Sequence, residues 1–108
     1  MITSPTNQHI AFLRSLHAKK GRDTEEAFLI EGPHLLEAAM ESHVTPRLIV
    51  FDPEHLARTP AGRKALGEIE ELRARGAEVF DASAAAIERA SDTQTPQGVV
   101  AAVASEDV

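Results

Sequence analysis

The amino-acid sequence predicts an α/β fold, in which a central, mostly parallel four-stranded sheet carries helices on both faces. Helical and strand patterns alternate four times along the chain, beginning with a helix. Strands separated by helices usually pair in parallel and bury both faces of their sheet, which favours this architecture. The length of 108 residues suits one domain, and no apolar run is long enough to span a membrane.

The first helix is predicted by large apolar residues at a spacing of three. Ile10, Leu13 and Leu16 form one stripe, and the helical pattern ends at Gly21. The segment is therefore predicted to be an amphipathic helix of about three turns. Lys19 and Lys20 fall in its last turn, where positive charge complements the helix dipole.

The first strand is predicted at residues 27–30, because the run AFLI is typical of a strand buried on both faces. Gly32 supplies a tight turn, and Pro33 suits the first position of the next helix. That helix has an apolar stripe and ends near His43. The residues of the stripe are Leu35, Leu36, Ala39 and Met40.

The second strand is predicted at Leu48–Phe51, a continuous apolar run that Asp52 and Pro53 close. The next helix has Leu66, Ile69 and Leu72 at a spacing of three and stops at Gly76.

The last two strands enclose a short helix and a polar segment. The third strand is predicted at residues 77–81, and Ser83 caps an alanine-rich helix that runs to Ala90. Residues 92–98 then form a polar loop that leads into the fourth strand, Val99–Ala104. This strand has the most continuous apolar run in the chain.

Charge is distributed unevenly along the chain. The net charge is −6, which opposes unspecific attraction to nucleic acid or an anionic membrane. The first 22 residues differ, because they hold Arg14, Lys19, Lys20 and Arg22 and no carboxylate. Such asymmetry points to an anionic partner at the N-terminal end, the alternative being a solvated basic helix end.

No catalytic constellation is recognisable in the sequence. The chain has no cysteine, which excludes disulfides, a thiolate nucleophile and Cys-based metal sites. His9 and His17 are two helical turns apart, about 12 Å, too far to share a metal ion. Neither a Gly-x-Ser-x-Gly turn nor a glycine-rich phosphate loop follows any predicted strand. We expect a cytoplasmic protein that is not an enzyme by itself.

Two features could contact a ligand without catalysing a reaction. Thr93, Gln94, Thr95 and Gln97 of the polar loop can donate and accept hydrogen bonds without charge, which suits 2′-hydroxyls, phosphates or exposed base edges. An ordinary loop between two elements is the simpler interpretation of the same composition. Glu31 could orient a basic ligand group, although bracing of its own turn is favoured.

Three sequence blocks resemble the N-terminal substrate-binding domain of the SpoU (TrmH) family of RNA 2′-O-ribose methyltransferases. The first runs from Ser4-Pro5-x-Asn7-x-x-Ile10 to the basic residues 19–22, and the second is residues 27–32. The third is residues 91–101, SDTQTPQGVVA. The resemblance covers nearly the whole chain. It implies a three-layer α/β/α sandwich like that of the ribosomal proteins that bind kink-turn RNA.

The resemblance also implies which residues contact RNA. Lys19, Lys20 and Arg22 match the basic patch of the family, and the loop up to Gly98 matches its last loop. His34 stands where the family often has a basic residue, so its charge there depends on pH. The complete set of expected RNA-binding residues is Arg14, Lys19, Lys20, Arg22, His34, Thr93, Gln94 and Gln97.

The expected partner is structured RNA, in particular large-subunit rRNA. Residues 1–108 are expected to be one RNA substrate-binding domain, without the knotted catalytic domain that uses S-adenosylmethionine. The chain itself is expected to bind no cofactor or metal and no membrane. We expect the isolated domain to be a monomer and the full-length enzyme a homodimer. The alternative is a protein-interaction or dimerisation domain that meets its partner through the acidic middle helices and has no direct RNA contact.

Overall fold

The computed structural model describes all 108 residues and contains six α-helices, four strands and a final 3₁₀ turn. The helices are α1 (Gln8–Ser15), α2 (Lys19–Glu25), α3 (Pro33–Glu41), α4 (Pro53–Leu56), α5 (Pro60–Ala74) and α6 (Ala84–Ala90). The strands are β1 (Ala27–Glu31), β2 (Leu48–Phe51), β3 (Glu78–Asp81) and β4 (Val99–Ala104), and the 3₁₀ turn is Ser105–Asp107. No helix has the length and apolar character that a membrane span requires.

The four strands form one mixed sheet in the order β1-β4-β2-β3. The α/β fold with helices on both faces is confirmed, but the sheet is not mostly parallel. Only β2 and β3 pair in parallel, whereas β4 is antiparallel to both β1 and β2. The expectation was wrong because α6 and the polar loop return the chain to the edge at which β3 ends. The last strand therefore starts at that edge and runs opposite to the other three.

The position of β4 explains the burial of the strands. All six residues of β4 are buried, since the strand lies between β1 and β2 and is covered on both faces. In β1 only Ala27 is buried, because this strand is at the edge of the sheet. The expectation that residues 27–30 are buried on both faces was therefore wrong.

Each face of the sheet has its own hydrophobic core. One core packs α1 and α6 on the sheet through Ile10, Leu13 and Ile87. The other packs α3 and α5 on the opposite face, where Leu36 and Ile69 have no exposed surface. These two layers and the sheet between them form an α/β/α sandwich.

Helix starts follow the local sequence signals closely. Ser83 caps α6 as expected, since its hydroxyl accepts a hydrogen bond from the Ala86 N–H at 3.2 Å. Thr59 caps α5 through the Gly62 N–H at 3.0 Å. Asp52 does not merely close β2, because its carboxylate caps the short helix α4.

The N-terminal helical region is divided in two, contrary to the single helix expected up to Gly21. The helix α1 ends at Ser15, and α2 begins at Lys19 after a sharp turn. Gly21 permits this turn, because a Cβ at this position would lie 1.7 Å from the Ser15 carbonyl oxygen. Lys19 and Lys20 consequently occupy the first turn of a helix and not the last turn.

One residue of the predicted stripe on α3 is not in the core. Leu36 is fully buried, but Leu35 is 51% exposed. Leu35 instead borders an open apolar groove between α3 and β1, together with Phe28 and Val103. The layer formed by α3 and α5 leaves this corner of the edge strand uncovered.

Candidate functional site

The expected binding residues of the second half of the chain gather at one edge of the sheet. The strands β1, β2 and β3 all end at this edge, and β4 begins there, with Glu31 opposite Val100 and Phe51 opposite Val99. The polar loop, residues 92–98, lies along this edge because it immediately precedes β4. Side chains at the ends of β1, β2 and β3 and at the start of β4 can therefore surround the polar loop.

Glu31 holds the start of the polar loop. Its carboxylate accepts hydrogen bonds from the Ser91 hydroxyl and from the Asp92 N–H, the latter at 2.9 Å. The Ser91 hydroxyl oxygen in turn accepts from the Thr93 N–H at 3.2 Å. The bracing role proposed for Glu31 therefore applies to the distant polar loop and not to its own turn.

His17 joins the end of α1 to the same loop. Its Nε2 lies 2.8 Å from the Ala90 carbonyl oxygen, which can only accept, so Nε2 carries the proton. The other ring nitrogen, Nδ1, lies 3.7 Å from the Asp92 carboxylate. This side chain brings the N-terminal helices and the loop residues into one continuous surface.

The basic residues near His17 have different surroundings. Arg14 lies one turn before His17, whose N–H donates to the Arg14 carbonyl at 3.0 Å, and its side chain is exposed. Lys19 is two residues beyond His17 and pairs with Asp23 on the next turn at 2.6 Å. Lys20 is exposed and forms no ion pair. Arg14, Lys19 and Lys20 together are called the basic segment below.

Arg22 has a structural role. Its guanidinium donates to the carbonyl oxygens of Leu16 and His17, both at 3.1 Å, and the residue is half-buried. These carbonyls end α1 and have no partner within the helix, so Arg22 satisfies them. A substitution of Arg22 would disturb the turn between α1 and α2 as well as remove a charge.

The remaining expected residues lie in the polar loop or, in the case of His34, in a cleft beside it. Thr93 and Gln94 are exposed, and Gln97 and His34 face a cleft that His55 also borders. Gly32, at the start of α3, has a φ of 91°, and a Cβ there would lie 2.4 Å from the Gln97 side-chain oxygen. Position 32 therefore has to be glycine for the polar loop to pack against the turn after β1.

Three residues of this surface were not among the expected ones: His17, His55 and Ser91. Ser91 contacts Glu31, 60 residues earlier in the chain, and His17 contacts Ala90, 73 residues later. No local pattern in the sequence indicates contacts of this kind. His55 had a usable signal, because it follows closely the end of a buried strand. Such positions cluster at one edge of a sheet when the strands run in the same direction.

The acidic middle helices form a separate surface. Lys64 of α5 pairs with Glu37 of α3 at 2.5 Å, and this hydrogen bond lowers the pKa of Glu37. Partial burial, together with Glu37 and Glu41 nearby, raises the pKa of Glu68. Lys64 thus offsets the mutual repulsion of carboxylates on the two helices.

Comparison with known proteins identifies the family to which the chain is similar. The family described as MRM3-like substrate binding domain matches residues 7–101. The 23S rRNA (guanosine(2553)-2′-O)-methyltransferase RlmP of Bacillus subtilis is 31% identical over 100 residues, which are 93% of this chain and 36% of that protein.

Solved structures agree with this match. An RNA 2′-O ribose methyltransferase has 25% identity and a TM-score of 0.73 over 96% of this chain and 37% of its own. An rRNA methyltransferase from Sinorhizobium meliloti has 25% identity and a TM-score of 0.72 over 94% of this chain and 35% of its own. The chain thus spans about a third of the length of the relatives that it matches.

Proposed function

Because the chain belongs to the MRM3-like substrate binding domain family, we propose that it is the RNA-binding part of an rRNA 2′-O-ribose methyltransferase. Its resemblance to the N-terminal domain of SpoU (TrmH) methyltransferases is confirmed by the family match and by the solved structures. The proposed substrate is structured large-subunit rRNA, and the proposed place of action is the cytoplasm. The relatives named above support this assignment, since all three are described as rRNA or RNA methyltransferases and two of them as 2′-O-specific.

The observation that carries the proposal is the contact between His17 and the polar loop. Through Asp92 it connects the segment that carries Lys19 and Lys20 to a loop whose other polar side chains, Thr93, Gln94, Thr95 and Gln97, are uncharged. Lysines neutralise phosphates, which position an RNA without reading its sequence. Thr93 and Gln94 can contact 2′-hydroxyls and base edges, which distinguish RNA from DNA and one base from another.

The location of the lysines supports a ligand-binding role. Lys19 and Lys20 occupy the first turn of α2, where the positive end of the helix dipole disfavours a cation. The ion pair with Asp23 accounts for Lys19, but helix stability gives no reason for the unpaired ammonium group of Lys20 at this position. An anionic partner does, since it would neutralise that charge.

The chemistry of methyl transfer is assigned to a different part of the protein. We propose that a knotted methyltransferase domain accompanies this domain in a homodimeric enzyme. That second domain would bind S-adenosylmethionine, the methyl donor. The turn after β1 has a single glycine, Gly32, and therefore lacks the glycine-rich loop that holds a nucleotide cofactor in many proteins. This domain then contributes binding and positioning of the RNA.

Neutralising two charges tests the RNA-binding proposal. The variant Lys19→Gln/Lys20→Gln keeps Arg22 and its structural hydrogen bonds. Fluorescence anisotropy with labelled hairpins of large-subunit rRNA should give the unmodified chain a log–log salt slope between about −2 and −4. The double variant should bind more weakly, and its slope should be less steep by about 2, because each phosphate contact contributes about 1.

A matched control separates local from overall charge. Arg73→Gln/Arg75→Gln makes the same change in net charge at the C-terminal end of α5, where both arginines also pair with carboxylates. Its RNA affinity and salt slope should equal those of the unmodified chain. If both double variants lose the same amount of RNA affinity, the RNA is attracted by the net charge of the protein alone. That result would exclude the basic segment as the interface. Absence of RNA binding by the unmodified chain would favour the alternative of a protein-interaction domain.

A further inference from the structure

A polar cleft beside the polar loop is not explained by the contacts described so far. It has a volume of about 280 Å³ and lies between the start of α3, the helix α4 and the start of α5. Its polar wall consists of His34, His55, Thr59 and Gln97. Ala61 contributes apolar surface, and Leu56 lies almost fully buried beneath the cleft. No carboxylate lines the cleft.

The walls of the cleft are packed against glycines. Gly98 has a φ of 88°, and a Cβ at this position would lie 3.1 Å from the His55 ring and from a methyl carbon of Leu56. On the other side, the Gln97 side chain lies against Gly32. A β-carbon at Gly32 or Gly98 would push Gln97 or His55 out of place. The shape of the cleft thus depends on two positions that accept only glycine without strain.

The side chains of the cleft match the chemistry of an unstacked nucleotide. A base displaced from its helix requires flat apolar or aromatic surface for its faces and hydrogen-bonding groups for its edge. The imidazole rings of His34 and His55 and the methyl group of Ala61 supply the first. The amide of Gln97 both donates and accepts, as the edge of a base requires. The absence of carboxylates from the wall avoids repulsion of the attached phosphate.

We propose that this cleft receives a single unstacked nucleotide of the bound RNA. The proposal rests on the proposed function and adds to it a second kind of contact. The basic segment positions the RNA backbone, and the cleft takes up one base that is not paired. Gln97 belongs to both the polar loop and the cleft, so it connects the contacts of the loop to those of the cleft.

Nuclear magnetic resonance with single nucleotides tests the cleft directly. The four ribonucleoside 5′-monophosphates and, separately, inorganic phosphate are titrated into the ¹⁵N-labelled chain. The nucleotides should shift the amide resonances of His55, Ala61 and Gln97 in a saturable manner, and inorganic phosphate should not. The variant Ala61→Leu fills the cleft from an exposed position on α5. The dissociation constant obtained from these shifts should be about tenfold higher for this variant.

The matched control is Ala74→Leu, which adds the same side chain at an exposed position at the opposite end of α5. It should bind nucleotides like the unmodified chain. Equal shifts by inorganic phosphate and by nucleotides would reduce the cleft to a general anion site and overturn the proposal. Equal binding by Ala61→Leu and the unmodified chain would place the nucleotide elsewhere and overturn it too.

Failure of the cleft and failure of the proposed function give different results. If the cleft is wrong, the rRNA hairpins still bind with a salt slope that depends on Lys19 and Lys20, and Ala61→Leu leaves their affinity unchanged. If the proposed function is wrong, the hairpins do not bind the unmodified chain at all. A correct cleft requires that Ala61→Leu weaken hairpin binding while the salt slope is retained, because no phosphate contact is removed.

Discussion

Replacement of Glu31 by glutamine is expected to weaken RNA binding although it removes a negative charge. The Glu31 carboxylate accepts hydrogen bonds from the Ser91 hydroxyl and the Asp92 N–H, and a glutamine side chain has one acceptor oxygen in place of two. Loss of one hydrogen bond to a charged group costs about 1.5 kcal/mol, which corresponds to about a tenfold loss of affinity if RNA requires the held loop. Anisotropy with the rRNA hairpins measures this change.

A second variant isolates the effect of charge. Glu88→Gln removes one carboxylate from an exposed position on α6 that forms no ion pair. Because this change only reduces repulsion of an anion, its RNA affinity should be equal to or higher than that of the unmodified chain. If Glu31→Gln also binds RNA more tightly, the loop needs no support from Glu31. Amide hydrogen exchange at Asp92 should be faster in Glu31→Gln and unchanged in Glu88→Gln.

Replacement of Gly21 by alanine is expected to produce the largest loss of stability. The added Cβ would lie 1.7 Å from the Ser15 carbonyl oxygen, and a backbone atom cannot move aside as a side chain can. The helix α2 must therefore separate from the end of α1, which breaks the hydrogen bonds of Arg22 to Leu16 and His17. We expect the free energy of unfolding to fall by about 2 kcal/mol or more, measured by urea denaturation.

Gly67→Ala is the matched control for this substitution. Gly67 also lies inside a helix, α5, and a Cβ there would have no atom within 4 Å. Alanine should therefore raise the free energy of unfolding by about 0.5–1 kcal/mol through its higher helix propensity. If Gly21→Ala is as stable as Gly67→Ala, the close approach of α2 to α1 does not matter for folding. Gly21→Ala should also weaken RNA binding, since Lys19 and Lys20 move with α2.

Most helices and strands follow from local patterns in the sequence. The strands at Leu48–Phe51 and Val99–Ala104 are continuous apolar runs, and the structure has them at the same residues. Ser83 starts a helix by accepting a hydrogen bond from a residue three positions further on. Such signals act over a few residues, so they are readable before any tertiary contact is known.

The N-terminal helices mark the point at which local patterns become insufficient. Ile10, Leu13 and Leu16 continue a helical spacing across the end of α1, and Gly21 then resembles a stop signal. In the structure Gly21 lies inside α2, because its missing side chain lets two helices approach each other. A close approach of two segments leaves no periodic trace in the sequence.

Local patterns along the chain specify the α/β class, the family and most element boundaries, since apolar spacing, helix caps and short sequence blocks involve residues that are neighbours in sequence. Tertiary structure alone decided that β4 lies antiparallel between β1 and β2. It also decided that Glu31 and His17 both contact Asp92 of the polar loop, and that His55 and Gln97 line the same cleft. These features depend on contacts between residues far apart in the chain, and such contacts leave no local pattern in the sequence.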